Sequence, residues 1–152
     1  DWSSDVCSSD LIWKIRSMKT NAEPNGPVWT SRNDNRALKF GRFLRNTRID
    51  ELPQLISVIS GDMSLIGPRP ERPEIEVDLI NKLPNYMYRY QVKPGISGWA
   101  QINYPYRASF EDSKNKLSYD FFYILEYSFL LDILIFIKTI RIIFNGSGSK
   151  PN

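Results

Sequence analysis

The sequence predicts a single α+β domain that is mainly helical, with a few short strands. Three observations predict it. Apolar residues recur at helical spacing in several segments. Strand-like stretches are few and short. The most hydrophobic stretch, residues 129–144, is interrupted by Asp132, Lys138 and Arg141. Its charge-free runs fall far short of the ~20 apolar residues that a bilayer span needs.

The length of 152 residues suits one domain, long enough to bury a core. A hydrophobic content of 41% with 13% aromatics argues for a folded chain. There is no histidine, which removes Ser-His-Asp triads, Cys-His pairs, His-ligated zinc and His general bases together. A single cysteine excludes a disulfide framework within the chain. Chemistry must therefore rest on carboxylates, Arg, Lys, Tyr and Ser/Thr, or on a bound hard cation.

Residues 1–11 are Ser/Asp-rich, without period, and match nothing that follows. They can be written as one reading frame of a common short-read sequencing adapter and are set aside from the fold. Cys7 goes with them. So do three aspartates, which raises the net charge from +3 to +6. The native sequence is then expected to resume in mid-domain at Ile12, with a preceding membrane segment missing.

Residues 12–18 alternate as a short strand would. Residues 21–34 are rich in Asn, Pro, Gly and Ser and predict a loop. Residues 35–46 carry Leu38, Phe40, Phe43 and Leu44 at near-helical spacing. Leu52, Leu55, Ile56 and Ile59 form one face of a short helix, with Asp50 as its N-cap, Pro53 early enough to be tolerated and Gly61 at its end. Pro73 opens a helix to Leu83 with Ile75, Leu79, Ile80 and Leu83 inward. Residues 86–102 hold two glycine-ended turns with room for a strand. Ser109 followed by Asp112 predicts a capping box for a helix running to about Tyr127. Residues 129–144 are either a core helix or an amphipathic helix in the membrane interface. The Gly/Ser/Pro-rich tail, 146–152, is expected to be loose.

Charge is uneven. Residues 12–48 hold nine Lys/Arg against Glu23 and Asp34, and the remainder is nearly neutral. A basic half suggests an anionic partner, although a charge run by itself is more often a solvated face. Nucleic acid is not expected, because no nucleic-acid motif is present and aromatics are not interleaved with the basic run.

The chemically informative stretch is residues 41–70. Adjacent Asp50 and Glu51 stand at the expected helix start, Arg45 and Arg48 just before them, and Arg69 follows in the stiff turn Gly67-Pro68-Arg69-Pro70. Arginines present a planar fork that suits two phosphate oxygens. Carboxylates can ligate Mg²⁺ or attack phosphorus. On these grounds alone an Asp at a helix start beside a Glu is more often a cap than a catalyst.

The flanking motifs change that balance. Arg45-x-x-x-x-Asp50-Glu51-Leu52-Pro53-Gln54-Leu55 is followed by Gly61-Asp62-Met63-Ser64-Leu65-Ile66-Gly67-Pro68-Arg69-Pro70. Then comes Val92-Lys93-Pro94-Gly95-Ile96-Ser97-Gly98-Trp99-Ala100-Gln101-Ile102-Asn103. These three motifs, in this order, resemble the bacterial sugar transferases, monotopic polyprenyl-phosphate hexose-1-phosphate transferases. Lys14-Ile15-Arg16-Ser17-Met18, Tyr119-Asp120 and residues 128–132 resemble further family segments. Glu71-Arg72-Pro73 and Asn103-Tyr104-Pro105-Tyr106 look most like the branch that starts exopolysaccharide or capsule synthesis on undecaprenyl phosphate. The resemblance spans residues 12–145, read as the catalytic domain.

The resemblance implies that Asp50 attacks the β-phosphate of a UDP-sugar, with release of UMP, and that polyprenyl phosphate then takes the phosphosugar. It implies Glu51 as base or orienting group, Mg²⁺ near Asp50, Arg45 and Arg69 at phosphates, and Arg89 and Gln101 near the site. It also implies membrane-associated amphipathic helices, with membrane lipid as a partner, at the cytoplasmic face of the bacterial inner membrane. Lys14 and Arg16 match a basic segment without an assignable task. The chain departs from the family in two places. The re-entrant membrane helix that precedes the Lys-x-Arg segment is expected to have been lost with the native start, so the fragment by itself is expected to be inactive or poorly folded. Asn103-Tyr104-Pro105-Tyr106 stands where many relatives have Asn-Gly-Arg-Asn, which leaves the sugar open. A homodimer is kept among the possible partners. The rival readings are a non-catalytic module that binds anions or lipid, and direct transfer without a covalent intermediate.

Overall fold

The computed structural model describes residues 12–24, 34–104 and 109–144. The expected foreign start at 1–11, most of the loop expected at 21–34, Pro105 and Tyr106, and the tail at 146–152 lie outside the described residues. The α+β, mainly helical expectation holds: six α-helices and two short strands are described.

A close backbone crossing organises the middle of the chain. Strand β1 (Ser64–Ile66) pairs in parallel with β2 (Gly95–Ser97), with Ser64 opposite Gly95 and Ile66 opposite Ser97. The two chains continue to bond beyond the strands, Gly67 N donating to Ser97 O at 2.8 Å and Gly95 N to Pro68 O at 2.9 Å. Only glycine fits this crossing. A Cβ on Gly95 would lie 2.2 Å from Gly67 N, and one on Gly98 would lie 2.2 Å from Gly67 O. Parallel strands need a long connection. Here it is α3 (Pro73–Lys82) followed by a 3₁₀ turn at Tyr86–Gln91. The strand expected within 86–102 is therefore only its middle, and the first half coils.

Two apolar clusters hold this connection in place. Leu79, Leu83, Tyr86 and Leu117 form one, with Ile75, Tyr90 and Phe121 packed on it. Ile66, Tyr123 and Ile135 form the other, with Val92, Trp99, Ile102, Ile124 and Leu131 around it. Burying each such side chain contributes roughly 1.5–3 kcal/mol. Ile80, expected inward, faces out instead, because α3 packs through Leu79 and Leu83. Helix α5 (Phe110–Leu125) starts where expected, with Asp112 N donating to the Ser109 side chain at 3.1 Å, and ends two residues early. Helix α4 (Trp99–Asn103) lies against α5 and α6.

Helix α6 spans Phe129–Phe144, as expected. Ile135 is fully buried, and Thr139 shares a hydrogen bond with Ser97 at 2.6 Å. Phe129, Leu130, Phe136, Ile137 and Phe144 remain exposed. Core packing and an outward apolar face thus occur on different sides of one helix. Among the described residues no helix is long and apolar enough to cross a membrane.

The N-terminal part differs more from expectation. The strand expected at 12–18 reduces to one antiparallel bridge, Met18 with Ala37. Upstream, Ile15 N bonds instead to Asp50 O at 3.0 Å, so the segment runs past the carboxylate pair without a ladder partner. Helix α1 (Lys39–Asn46) buries Leu44 and leaves Phe40 and Phe43 exposed. Helix α2 (Gln54–Ser60) forms where expected and turns its apolar face outward: Leu55, Ile56 and Ile59 face out, Ile59 being 87% exposed, while Gln54 and Ser57 are buried. The cause is local. Ser57 O receives both Asp62 N and Met63 N, which seats the polar side of α2 on the approach to β1. Gly61 closes α2 at φ 88, the left-handed conformation that glycine adopts freely.

Candidate active site

Asp50 and Glu51 do not cap α2. They occupy a 3₁₀ turn, Ile49–Glu51, and the residue before α2 is Pro53, which makes no side-chain cap. The correction has a physical reason. Arg48 enters the turn at φ 59, a left-handed conformation that costs roughly 1–2 kcal/mol for a residue with a Cβ. That sharp entry moves both carboxylates inward, leaving Asp50 only 2% and Glu51 8% exposed.

Three cations answer that burial. Arg69 reaches Glu51 with both terminal nitrogens, Nη2 to Oε1 at 2.5 Å and Nη1 to Oε2 at 3.3 Å. Arg48 Nη1 stands 3.4 Å from Glu51 Oε2. Lys14 Nζ bridges the pair, 3.3 Å from Asp50 Oδ2 and 3.4 Å from Glu51 Oε1. Burial by itself would raise the Glu51 pKa. Arg69, Arg48 and Lys14 outweigh it and hold the carboxyl at about 2. Glu51 is therefore ionised throughout the neutral range and serves as the hub of three positive groups.

The expected site residues fall into two groups. Arg69 is at the centre, and its Nη1 also donates to Ile96 O at 3.1 Å. Gln101 Nε2 reaches the same carbonyl at 3.4 Å, and its Oε1 is a buried acceptor without a partner among the described residues. Gln101 therefore sits beside Arg69. Arg45 and Arg89 are placed otherwise. Arg45 Nε donates to Ser17 Oγ at 2.9 Å, which holds α1 to the N-terminal segment, with no contact to the carboxylates described. Arg89 is interior. Its guanidinium bonds to Asp120, to Arg69 O and to the Tyr86 hydroxyl, so it meets the site through the Arg69 backbone instead of offering its charge to a phosphate. Burial lowers the Arg89 pKa, but Asp120 and Tyr86 outweigh it and raise it.

Lys14, which the sequence left without a task, is the further side chain that the structure brings to the carboxylate pair. Its signal was the Lys-x-Arg segment, but only folding brings it across 36 residues to Asp50. Its chain, 40% exposed, lies over a nearly closed Asp50.

Among the described residues, no group of three or more His, Cys, Asp or Glu side chains is gathered to hold a metal. Both Glu51 oxygens face cations, whereas among the described residues Asp50 has only Oδ2 against one, Lys14 Nζ, so Asp50 is the carboxylate with an oxygen left for a metal. One carboxylate completed by substrate phosphates is a usual way to hold Mg²⁺. The donor set therefore fits Mg²⁺ in that mode and does not offer a cage made of protein alone.

The comparisons agree with the motif order. The model of the bacterial sugar transferase family matches residues 10–146. The UDP-N-acetylgalactosamine-undecaprenyl-phosphate N-acetylgalactosaminephosphotransferase of Aeromonas hydrophila is 47% identical over 139 residues, covering 91% of this chain and 33% of that protein. The UDP-glucose:undecaprenyl-phosphate glucose-1-phosphate transferase of Escherichia coli strain K12 is 41% identical over 142 residues, covering 91% and 30%. The undecaprenyl-phosphate glucose phosphotransferase of Komagataeibacter xylinus is 40% identical over 136 residues, covering 86% and 26%. The chain thus spans a third or less of the length of these three relatives. With the family model matching nearly the whole chain and the motifs in the same order, the chain belongs to the bacterial sugar transferases.

Proposed function

We propose that this domain transfers a sugar-1-phosphate from a UDP-sugar to polyprenyl (undecaprenyl) phosphate, releasing UMP, as the first step in making an exopolysaccharide, capsule or O-antigen. The carrying observation is a buried Asp50 beside a Glu51 that gathers Arg69, Arg48 and Lys14. Three positive groups around one carboxylate suit a diphosphate whose charge rises as its P–O bond breaks.

In the first step an Asp50 carboxylate oxygen bonds to the β-phosphorus. The bond from that phosphorus to the oxygen bridging to the α-phosphate breaks, and UMP leaves with the electron pair. The sugar phosphate is then carried on Asp50 as a mixed anhydride. In the second step a phosphate oxygen of the polyprenyl phosphate bonds to the same phosphorus and the Asp50 carboxylate is released. Lys14 has the long flexible stem to leave Asp50 for a phosphate oxygen as substrate enters. A carboxylate held near 2 is a poor proton acceptor at neutral pH, which favours orientation over base chemistry for Glu51. Mg²⁺, bound through Asp50 and the diphosphate, would neutralise phosphate charge.

The lipid acceptor gives the exposed apolar faces a purpose. Phe40 and Phe43 on α1, and Leu55, Ile56 and Ile59 on α2, bracket the Asp50–Glu51 turn in sequence and point outward. Exposed apolar patches of this kind mark interaction sites. Resting them in the cytoplasmic face of the inner membrane would bring the carboxylates to the level of the lipid phosphate. The relatives' names specify different sugars, N-acetylgalactosamine and glucose, so the sugar is left as a hexose.

The test uses the full-length enzyme in membranes with a UDP-sugar labelled in its β-phosphate. Label should become covalently attached, and Asp50→Asn should abolish it. Undiminished labelling of that variant refutes the nucleophile. Turnover by the unaltered enzyme without any label, and with intersecting double-reciprocal lines, supports direct transfer instead.

A further inference from the structure

We propose that the buried pair Arg89 and Asp120, with Tyr86, is a positioning unit that grips the main-chain carbonyl of Arg69 and thereby aims the Arg69 guanidinium. The proposal rests on the transfer reaction above, in which Arg69 faces the phosphates. Arg89 and Asp120 are 6% and 4% exposed. Arg89 Nη2 donates to Arg69 O at 2.6 Å and to Asp120 Oδ2 at 3.0 Å, and Nη1 donates to the Tyr86 hydroxyl. The guanidinium carbon also stands 4.9 Å from the centre of the Tyr86 ring. Three parts of the chain meet here: the 3₁₀ turn Tyr86–Gln91, α5, and the Gly-Pro-Arg-Pro turn after β1.

Arg69 is thus held at two ends. Its carbonyl is bonded inward by Arg89, while its guanidinium faces Glu51 and Ile96 O. Between Pro68 and Pro70 its backbone has little freedom, so fixing the carbonyl fixes where the side chain departs.

Stability alone does not account for the pair. Replacing a buried ion pair by apolar side chains of similar volume is often neutral or stabilising, whereas removing one partner is not. Moreover, Arg89 Nε is buried with no hydrogen-bond partner among the described residues. The guanidinium is oriented to reach the Arg69 carbonyl at the expense of one of its own donors. That orientation follows if its task is to place Arg69.

The experiment replaces both charges at once, Arg89→Met with Asp120→Leu, in the full-length enzyme in membranes. The thermal midpoint is expected to hold or rise. The kcat should fall roughly 10- to 100-fold, the scale of a small misplacement of a reacting group, with KM for the nucleotide sugar changed by less than about threefold. In an Arg69→Ala background the same double replacement should cost nothing further, because it acts through Arg69. Full kcat in the double variant, or an equal additional loss on top of Arg69→Ala, overturns the proposal. Should the apolar pair prevent folding, Asp120→Asn keeps the shape and weakens the charge that holds Arg89. A kcat loss of about 3- to 10-fold is then expected from a charge-assisted bond made neutral, and an unchanged kcat overturns the idea. No UMP release by the unaltered enzyme would sink the transfer reaction instead. The positioning claim is then decided by the Arg69 guanidinium NMR signals. They should be resolved in the unaltered protein and merged in the double variant, and identical signals in both overturn it.

Discussion

Glu51→Gln is the substitution whose consequence the geometry specifies most fully. Glu51 moves from an ordinary value of 4.5 to about 2 because three cations outweigh its burial. A carboxylate depressed on folding adds stability above its unfolded pKa, and that stability is lost as pH falls through the folded pKa. A shift of about 2.5 units corresponds to about 3 kcal/mol at neutral pH. The partners are themselves 30–40% exposed, and solvent screening brings the expected figure toward 2 kcal/mol. Glutamine keeps the shape but has no charge to lose. The unaltered protein should therefore exceed the variant by about 2–3 kcal/mol at pH 7. The gap should close between pH 5 and 2, with about two thirds of it gone by pH 3. Urea denaturation followed by tryptophan fluorescence at pH 7 and pH 3 measures both gaps. Half-molar salt should also narrow the neutral gap. An identical gap at the two pH values would refute the account of Glu51 as the hub of the site.

Three other outcomes follow from the same geometry. Lys14→Met removes the cation that bridges both carboxylates, and a charge-assisted contact worth about 1.5–3 kcal/mol should cost tenfold or more in covalent labelling; labelling at the unaltered rate would remove Lys14 from the site. Ile56→Glu with Ile59→Glu alters exposed residues, so stability should stay within about 0.5 kcal/mol per site while flotation with anionic vesicles is lost; retained flotation would mean that α2 does not face lipid. Gly98→Ala places a Cβ 2.2 Å from Gly67 O, an overpacking that should cost about 1–3 kcal/mol or more in a denaturation series; a neutral result would show that the crossing can open.

Much of the fold was legible because local rules decided it. The Ser109 cap, the Gly61 stop, the Pro73 start and the limits of α6 depend on neighbours in sequence, and they appear as expected. The outward direction of the apolar face of α2 was not legible. Apolar spacing marks a face but does not say which side meets the core, and for α2 the bonds to Ser57 O turned the polar side inward. The same limit affected Ile80 and the aromatic pair on α1. Single-residue spacing also gave Asp50 the role of a cap, whereas the left-handed turn at Arg48 moved it out of α2.

The sequence alone determined the family. With no histidine, with Asp50 and Glu51 adjacent, with Arg69 in a two-proline turn and three motifs in order, it led to the family and to the proposal of carboxylate-based phosphate transfer. The tertiary structure decided which charges act together. It placed Lys14 and Arg48 on the carboxylates, tied Arg45 to Ser17, and withdrew Arg89 into the interior behind Arg69. Electrostatic interaction depends on distance through space and on burial. Both are set only when segments far apart in sequence pack, so the motif could name the arginines but not their tasks.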